Sequence, residues 1–261
     1  MSPLVLGIII VAGIGIIAGI VLSVASILMA VPKDEKAEAL QAVLPGANCG
    51  ACGFSGCSGY AAAMSKGEAE PGKCPPGGED CMQACSEILG VSGSIEKNIA
   101  LVHCLGSYDV TSDKVEYDGI ESCSAAALLA GGVSSCRFGC LGMGDCVKAC
   151  EYDAIDICNG VAVINPDKCK ACKKCVTACP KGLISLIPVK KQAVVRCSNC
   201  DKGAGVVKIC KIGCIGCKKC EKVCSVSAIK VTDFRASVSP DLCIGCGLCA
   251  EACPRKIIDM I

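Results

Sequence analysis

Residues 243–254 read CIGCGLCAEACP. Cys243, Cys246, Cys249 and Cys253 follow C-x2-C-x2-C-x3-C, and Pro254 closes the run. Thiols at this pitch on a tight loop converge on an inorganic core, and the spacing is that of [4Fe–4S] ligation. The first three cysteines hold one cluster and the fourth reaches across to a second. The same run recurs at Cys214, Cys217, Cys220 and Cys224, and at Cys169, Cys172, Cys175 and Cys179. Proline follows the fourth cysteine at Pro180 as at Pro254, whereas Glu151 and Ser225 stand at the corresponding positions of the other runs. Proline ligates nothing there, so its loss relaxes the loop without removing a site.

Displaced by 74 residues, 123–187 aligns with 197–261 without a gap. Cys123, Cys136, Cys140, Cys146 and Cys150 fall on Cys197, Cys210, Cys214, Cys220 and Cys224, and Pro166-Asp167 falls on Pro240-Asp241. A shared register of this kind is an internal duplication. Each copy resembles a bacterial two-cluster ferredoxin. AIDICNGVAVINPD (154–167) and AIKVTDFRASVSPD (228–241) are predicted as β-hairpins beside short helices.

The crossover rule assigns ligands. The second copy has one cluster on Cys214, Cys217, Cys220 and Cys253, and another on Cys224, Cys243, Cys246 and Cys249. In the first copy, Cys150, Cys169, Cys172 and Cys175 form an ordinary set. The remaining set departs from the pattern because Met143 stands where the copy has Cys217. A thioether is a poor substitute for a thiolate, and Cys136 is the expected replacement, giving Cys136, Cys140, Cys146 and Cys179.

Upstream, residues 46–78 read GANCGACGFSGCSGYAAAMSKGEAEPGKCPPGG, with Cys49, Cys52, Cys57 and Cys74 spaced C-x2-C-x4-C-x16-C. The glycines let backbone amides turn toward the sulfurs, and four thiolates beside the runs above predict a fifth [4Fe–4S] site. Cys81 and Cys85 share a helical face and are expected to be buried small side chains rather than ligands. Cys104, Cys123, Cys197, Cys200 and Cys210 are further candidate ligands that spacing alone does not assign; ALVHCLGS and AVVRCSNC look alike, so Cys104 matches Cys197 once an insertion is allowed. Cys158 matches Thr232 and is expected to ligate nothing; His103, beside Cys104, could ligate but is expected to take a surface or hydrogen-bonded role.

Leu4 to Val31 is 28 residues without a charge, longer than the roughly 20 that span a bilayer. Residues 1–3 lack the basic character of a signal peptide. Lys33 and Lys36 follow the apolar run, so the positive-inside rule predicts a single-pass helix with its N-terminus outside and the body in the cytoplasm. Gly13, Gly15 and Ala18 match part of a dinucleotide fingerprint, but no βαβ context follows. Gly15 and Gly19 read better as a small-residue face for another membrane helix.

The chain has 261 residues and 28 Cys, with no Trp, 3 Phe, 4 Tyr and a single His, so aromatic packing cannot organise its interior. Disulfide scaffolds belong to oxidising compartments and small secreted domains, and the tight CxxC runs argue against one. The net charge of +1 hides an asymmetry: residues 1–167 carry −11 and 168–261 carry +12. Lys170, Lys173, Lys174, Lys218 and Lys219 lie inside the ligand loops and are expected to dock an acidic soluble electron donor. No basic–aromatic interleaving points to nucleic acid, and no catalytic carboxylate pair, Ser–His arrangement, or NAD or flavin site is evident.

The predicted fold class is α+β, with five parts: a transmembrane anchor (1–31), a four-cysteine module (32–90), a connecting segment (91–122) and two ferredoxin-like βαβ units (123–187 and 188–261). An N-terminal span, then CGACGFSGC with a distal CPPGG, then ferredoxin motifs, is similar to the B subunit of the Rnf complex, in the longer form of anaerobes. That resemblance covers essentially the whole chain. It implies the electron-input component of a ferredoxin:NAD⁺ oxidoreductase coupled to Na⁺ or H⁺ translocation. It also implies at least five [4Fe–4S] clusters, reduced ferredoxin as donor, and partner subunits that reduce NAD⁺. A polyferredoxin component of a hydrogenase or formate dehydrogenase and a zinc-binding structural protein are the competing readings.

Overall fold

The computed structural model describes residues 3–28, 34–95 and 97–261. In chain order the elements are α1 (Pro3–Leu28), α2 (Glu35–Val43), α3 (Cys57–Ser65), α4 (Gly78–Leu89), β1 (Asn98–Val102), α5 (Cys123–Leu128), α6 (Asp145–Lys148), β2 (Ile155–Cys158), β3 (Val161–Ile164), α7 (Lys174–Ala178), β4 (Ile184–Pro188), β5 (Ala193–Val195), α8 (Gly203–Ile209), α9 (Lys219–Val223), β6 (Ile229–Thr232), β7 (Arg235–Val238), α10 (Leu248–Glu251) and β8 (Ile258–Met260).

α1 carries no charged residue, and its described large side chains, from Ile14 to Val24, are exposed. Among the described residues no helix is long and apolar enough to cross a membrane; the side chains of α1 are described only from 12 to 25, fewer than the roughly 20 residues a span needs. Pro32 and Lys33, at the expected end of the span, lie outside the described residues.

The cysteine–glycine module packs α2, α3 and α4 around Leu40, Tyr60 and Met64. Asp34 caps α2 by accepting from the amides of Lys36 and Ala37, which satisfies two of the orphan donors of a helix start. The Tyr60 hydroxyl donates to the Glu70 carbonyl at 2.8 Å and accepts from the Lys73 amide at 3.1 Å, so one buried phenol fixes the approach to Cys74.

The two ferredoxin-like units each hold two two-stranded antiparallel sheets. In the first unit β1 pairs with β4 and β2 with β3; in the second β5 pairs with β8 and β6 with β7. The hairpins expected at 154–167 and 228–241 are β2–β3 and β6–β7. All four strand pairs are antiparallel. One expectation needs correction: residues 91–122 are more than a connector, because they carry β1, whose partner β4 lies over 80 residues away. Pairing of that range cannot be read from a five-residue stretch such as NIALV.

The first strands reveal how the units correspond. The Ala100 amide donates to Cys169 Sγ at 3.4 Å, and the Ala193 amide donates to Cys243 Sγ at 3.4 Å. Ala193 is 93 residues after Ala100, whereas Cys243 is 74 after Cys169. The difference of nineteen residues is an insertion in the first unit between Cys104 and Cys136. The units also bind each other. The Arg196 guanidinium donates to the Val102 carbonyl at 2.8 Å and pairs with Asp259 at 2.9 Å, and Thr111 Oγ1 donates to the Ile209 carbonyl at 2.8 Å.

Candidate metal centres

The ligand loops share one backbone device. The residues on either side of the second position of each run have positive φ: Gly142 and Gly144, Ala171 and Lys173, Gly216 and Lys218, Gly245 and Gly247. Consecutive left-handed turns aim amides inward and make a concavity that favours negative charge, as suits a sulfide-rich core. At Gly245 a side chain is also excluded by space, since an added Cβ would lie 2.5 Å from the Lys191 carbonyl oxygen. Ala171, Lys173 and Lys218 hold the same conformation without glycine, at a cost of about 1–2 kcal/mol each. The run containing Met143 keeps this geometry, so its loop is shaped like the others.

The structure brings most of the sequence-predicted residues together. Cys214, Cys217, Cys220 and Cys253 line one cavity of about 340 Å³. Burial first, and then Cys214, Cys217 and Cys253, push the Cys220 thiol up to about 11. Burial and the neighbouring Cys169, Cys172 and Cys150 likewise push Cys175 up to about 11. Cys243 and Cys246 raise Cys249 after burial, and Cys224 packs into the same core. Thiolates crowded in dry cavities repel one another, so ionising them together requires a bound cation. Four thiols around one cavity suit a four-iron cluster, the group that the spacing of the runs predicts.

One assignment is corrected. Cys136 does not join Cys140, Cys146 and Cys179. The cavity of about 350 Å³ lined by those three takes its fourth thiol from Cys123. Burial, and then Cys140, Cys123 and Cys179, push Cys146 up to about 12. The physical reason is Asp145, the first residue of α6. Its carboxylate accepts from the Cys123 amide at 3.0 Å, the Ser124 amide at 2.9 Å, Ser124 Oγ at 2.8 Å and Ser122 Oγ at 3.0 Å. One side chain therefore holds the start of α5 against the start of α6 and sets Cys123 beside Cys146. Against the desolvation of partial burial, these donors keep the Asp145 carboxyl below the usual range.

In the upstream module Cys52, Cys57 and Cys74 surround Tyr60 together with Cys81 and Cys85. Cys81 and Cys85 are buried, and Cys81 hydrogen-bonds with Cys74. Cys49 lies toward the first ferredoxin-like unit, within electrostatic reach of Cys172 and Tyr152. Lys173 Nζ donates to the Ala51 carbonyl at 3.2 Å and so ties the module to the loop holding Cys172. Lys174 pairs with Glu151. Of the expected docking group, Lys173 and Lys174 make contacts within the chain, while Lys170, Lys173, Lys218 and Lys219 are all exposed.

Cys104, Cys136, Cys197 and Cys210 line a further cavity between the units. Cys200 lies outside it, with its thiol near the Ser198 carbonyl, and Cys158 is exposed on β2. The His103 ring bonds the Val195 carbonyl and Ser185 Oγ. Sequence reasoning missed Asp145 and Asn199. Cys123 was a candidate without an assigned partner set; once Cys104 is matched to Cys197, Cys123 is left without a counterpart in the second unit.

Three family models match. Residues 44–76 match "Putative Fe-S cluster", 162–185 match "4Fe-4S binding domain" and 213–257 match "4Fe-4S dicluster domain". The chain is 41% identical over 246 residues to the B subunit of the Na(+)-translocating ferredoxin:NAD(+) oxidoreductase complex of Acetobacterium woodii, covering 94% of this chain and 74% of that one. It is 37% identical over 262 residues to the B subunit of the ion-translocating oxidoreductase complex of Methanosarcina acetivorans, covering 99% of each. It is 36% identical to the B subunit of the proton-translocating ferredoxin:NAD(+) oxidoreductase complex of Clostridium ljungdahlii, covering 100% of this chain and 94% of that one.

Proposed function

The chain belongs to the family of B subunits of ion-translocating oxidoreductase complexes, and on that premise we propose how its residues serve as the electron inlet of such a complex. It is an electron-transfer subunit of an ion-translocating ferredoxin:NAD⁺ oxidoreductase, it carries [4Fe–4S] domains, and it works with the other subunits of the complex. Bound [4Fe–4S] clusters supply one-electron storage and hopping. The chain supplies thiolates, dry walls and amides aimed at sulfur, which set potential and spacing.

Five ligand sets are assigned: Cys49, Cys52, Cys57 and Cys74; Cys123, Cys140, Cys146 and Cys179; Cys150, Cys169, Cys172 and Cys175; Cys214, Cys217, Cys220 and Cys253; and Cys224, Cys243, Cys246 and Cys249. The observation that carries this reading is the recurrence of one left-handed loop at every C-x2-C-x2-C-x3-C run, with two of the sets, Cys214 to Cys253 and Cys123 to Cys179, each lining one cavity. The tie from Lys173 to Ala51 supports electron passage between the upstream module and the first ferredoxin-like unit.

Reduced soluble ferredoxin is the donor in this reading, and Lys218 and Lys219 are its contact. Both are exposed in the loop around the cavity of Cys214 to Cys253. Changing both lysines to Glu is expected to slow reduction by ferredoxin about tenfold at low salt and to flatten its salt dependence, since steering of this kind contributes 10-fold or more. Stopped-flow kinetics at two ionic strengths measures it, and unchanged rates would remove this surface from the account.

α1 serves as the membrane anchor, and Lys33 and Lys36 hold the body on the cytoplasmic side. In support, α1 is 26 residues long without a charge, and apolar side chains as exposed as Ile14 to Val24 are costly in water. The full chain expressed alone is expected to stay with membranes through an alkaline carbonate wash, and a chain lacking residues 1–31 to be released. A full chain that washes off would contradict the anchor.

A further inference from the structure

We infer that Cys104, Cys136, Cys197 and Cys210 hold a sixth [4Fe–4S] cluster, placed between the two ferredoxin-like units and built by both. The inference rests on the iron–sulfur reading above and adds a site that none of the C-x2-C-x2-C-x3-C runs contains.

Four thiols line one partly open cavity of about 430 Å³, against about 340 and 350 Å³ for two of the cavities assigned above. The rest of the wall is largely apolar, including Leu105, Phe138, Val206 and Ile257. Its thiols come in two matched pairs. Cys136 and Cys210 coincide in the 74-residue repeat. Cys104 and Cys197 face each other across an antiparallel bridge, each just beyond the first strand of its unit. The site is therefore built from corresponding positions of the two units. Packing alone does not demand four thiols at related positions of two diverged copies.

Hydrogen bonds to sulfur repeat the symmetry. The Cys140 amide donates to Cys104 Sγ at 3.5 Å, and the Cys214 amide donates to Cys197 Sγ at 3.3 Å. The Gly106 amide adds a second donor to Cys104 at 3.3 Å. Asn199, only 2% exposed, turns its side-chain amide to Cys136 Sγ at 3.2 Å. A buried amide spent on sulfur is well used when that sulfur is an anionic ligand. Cys140 and Cys214 are themselves assigned ligands, one in each unit. The cavity is thus joined by one hydrogen bond to a ligand of the first unit and by one to a ligand of the second. That placement makes it the link between the units: one electron in reduces the cluster, one electron out reoxidises it, and no proton or bond is exchanged.

Six sites use 24 of the 28 cysteines. The remaining four, Cys81, Cys85, Cys158 and Cys200, are scattered over α4, β2 and the loop before α8 and cannot supply another set. The test is a cluster count on the anaerobically purified full chain by native mass spectrometry, with iron and acid-labile sulfide measured beside it. Wild type is expected to hold six clusters, about 24 irons at four per cluster. Cys136→Ser and Cys210→Ser should each fall to five, while Cys158→Ser stays at six. A wild-type count of five, or unchanged counts in both variants, would overturn the inference. The wild-type count decides the matter even where a variant fails to fold. A chain with zinc and no sulfide would instead overturn the iron–sulfur reading on which the inference rests.

Discussion

Replacing Cys123 with Ser is expected to remove one cluster, lowering iron by about four per chain, and adding Met143→Cys to that variant is expected to restore it. The expectation follows from the cavity that Cys123 shares with Cys140, Cys146 and Cys179. Met143 occupies the position that carries Cys217 in the repeat, and the loop around it keeps the left-handed residues Gly142 and Gly144. A thiolate returned to position 143 therefore enters a loop already shaped for it. The rescue is specific: Met143→Cys should restore iron to Cys123→Ser and not to Cys136→Ser, whose thiol belongs to the other cavity. Loss of four irons that Met143→Cys leaves unrepaired would mean that Cys123 serves elsewhere.

The second large effect concerns a residue that touches no metal. Asp145→Ala removes the acceptor of two amides and two hydroxyls that join α5 to α6. Hydrogen bonds to a charged group contribute about 1.5–3 kcal/mol each, and they do not add fully because the donors share one side chain. A loss of about 2–4 kcal/mol in stability is expected, larger than a typical surface substitution. Without its clamp Cys123 leaves Cys146, so the iron content should fall as it does in Cys123→Ser although every cysteine is retained. Asp145→Asn keeps an acceptor oxygen and should lie between. Iron analysis with a denaturant unfolding curve checks both; wild-type iron and a shift under about 0.5 kcal/mol would show that the insertion holds itself in place.

The ferredoxin runs were legible because their chemistry is local. Within each run the first three cysteines are only three residues apart and the positive-φ residues sit between them, so spacing alone specifies the loop. The hairpins β2–β3 and β6–β7 were legible for the same reason. What the pattern could not supply lies at long range. The fourth thiol of the altered set arrives on an insertion of nineteen residues, which is docked by long-range contacts such as those of Asp145, Lys148 and Lys181. β1 escaped notice because its partner is far along the chain. Lys173 and Lys174 read as free loop charges, yet one reaches the Ala51 carbonyl and the other Glu151, contacts that depend on how the module meets the first unit. The unassigned cysteines were visible as leftovers, and their meaning came from the cavity they share.

The duplication also gives the body a physical logic. Few aromatics are available, and the buried clusters of both units are built from small aliphatic residues and cysteines in contact with one another. In such an interior the ligand thiols are part of the packing, so cluster loss and unfolding should be coupled, as metal binding and folding are in other small metal-bound domains.

The central claim is that this body is organised by iron and sulfide on cysteine thiolates. The most direct measurement is iron, zinc and acid-labile sulfide on one anaerobic preparation of the full chain. Iron and sulfide in equal amounts, at about twenty or more of each per chain from four-iron sites, is the expected result. A protein carrying a few zinc ions and no sulfide, or cysteines joined as disulfides, would contradict the account.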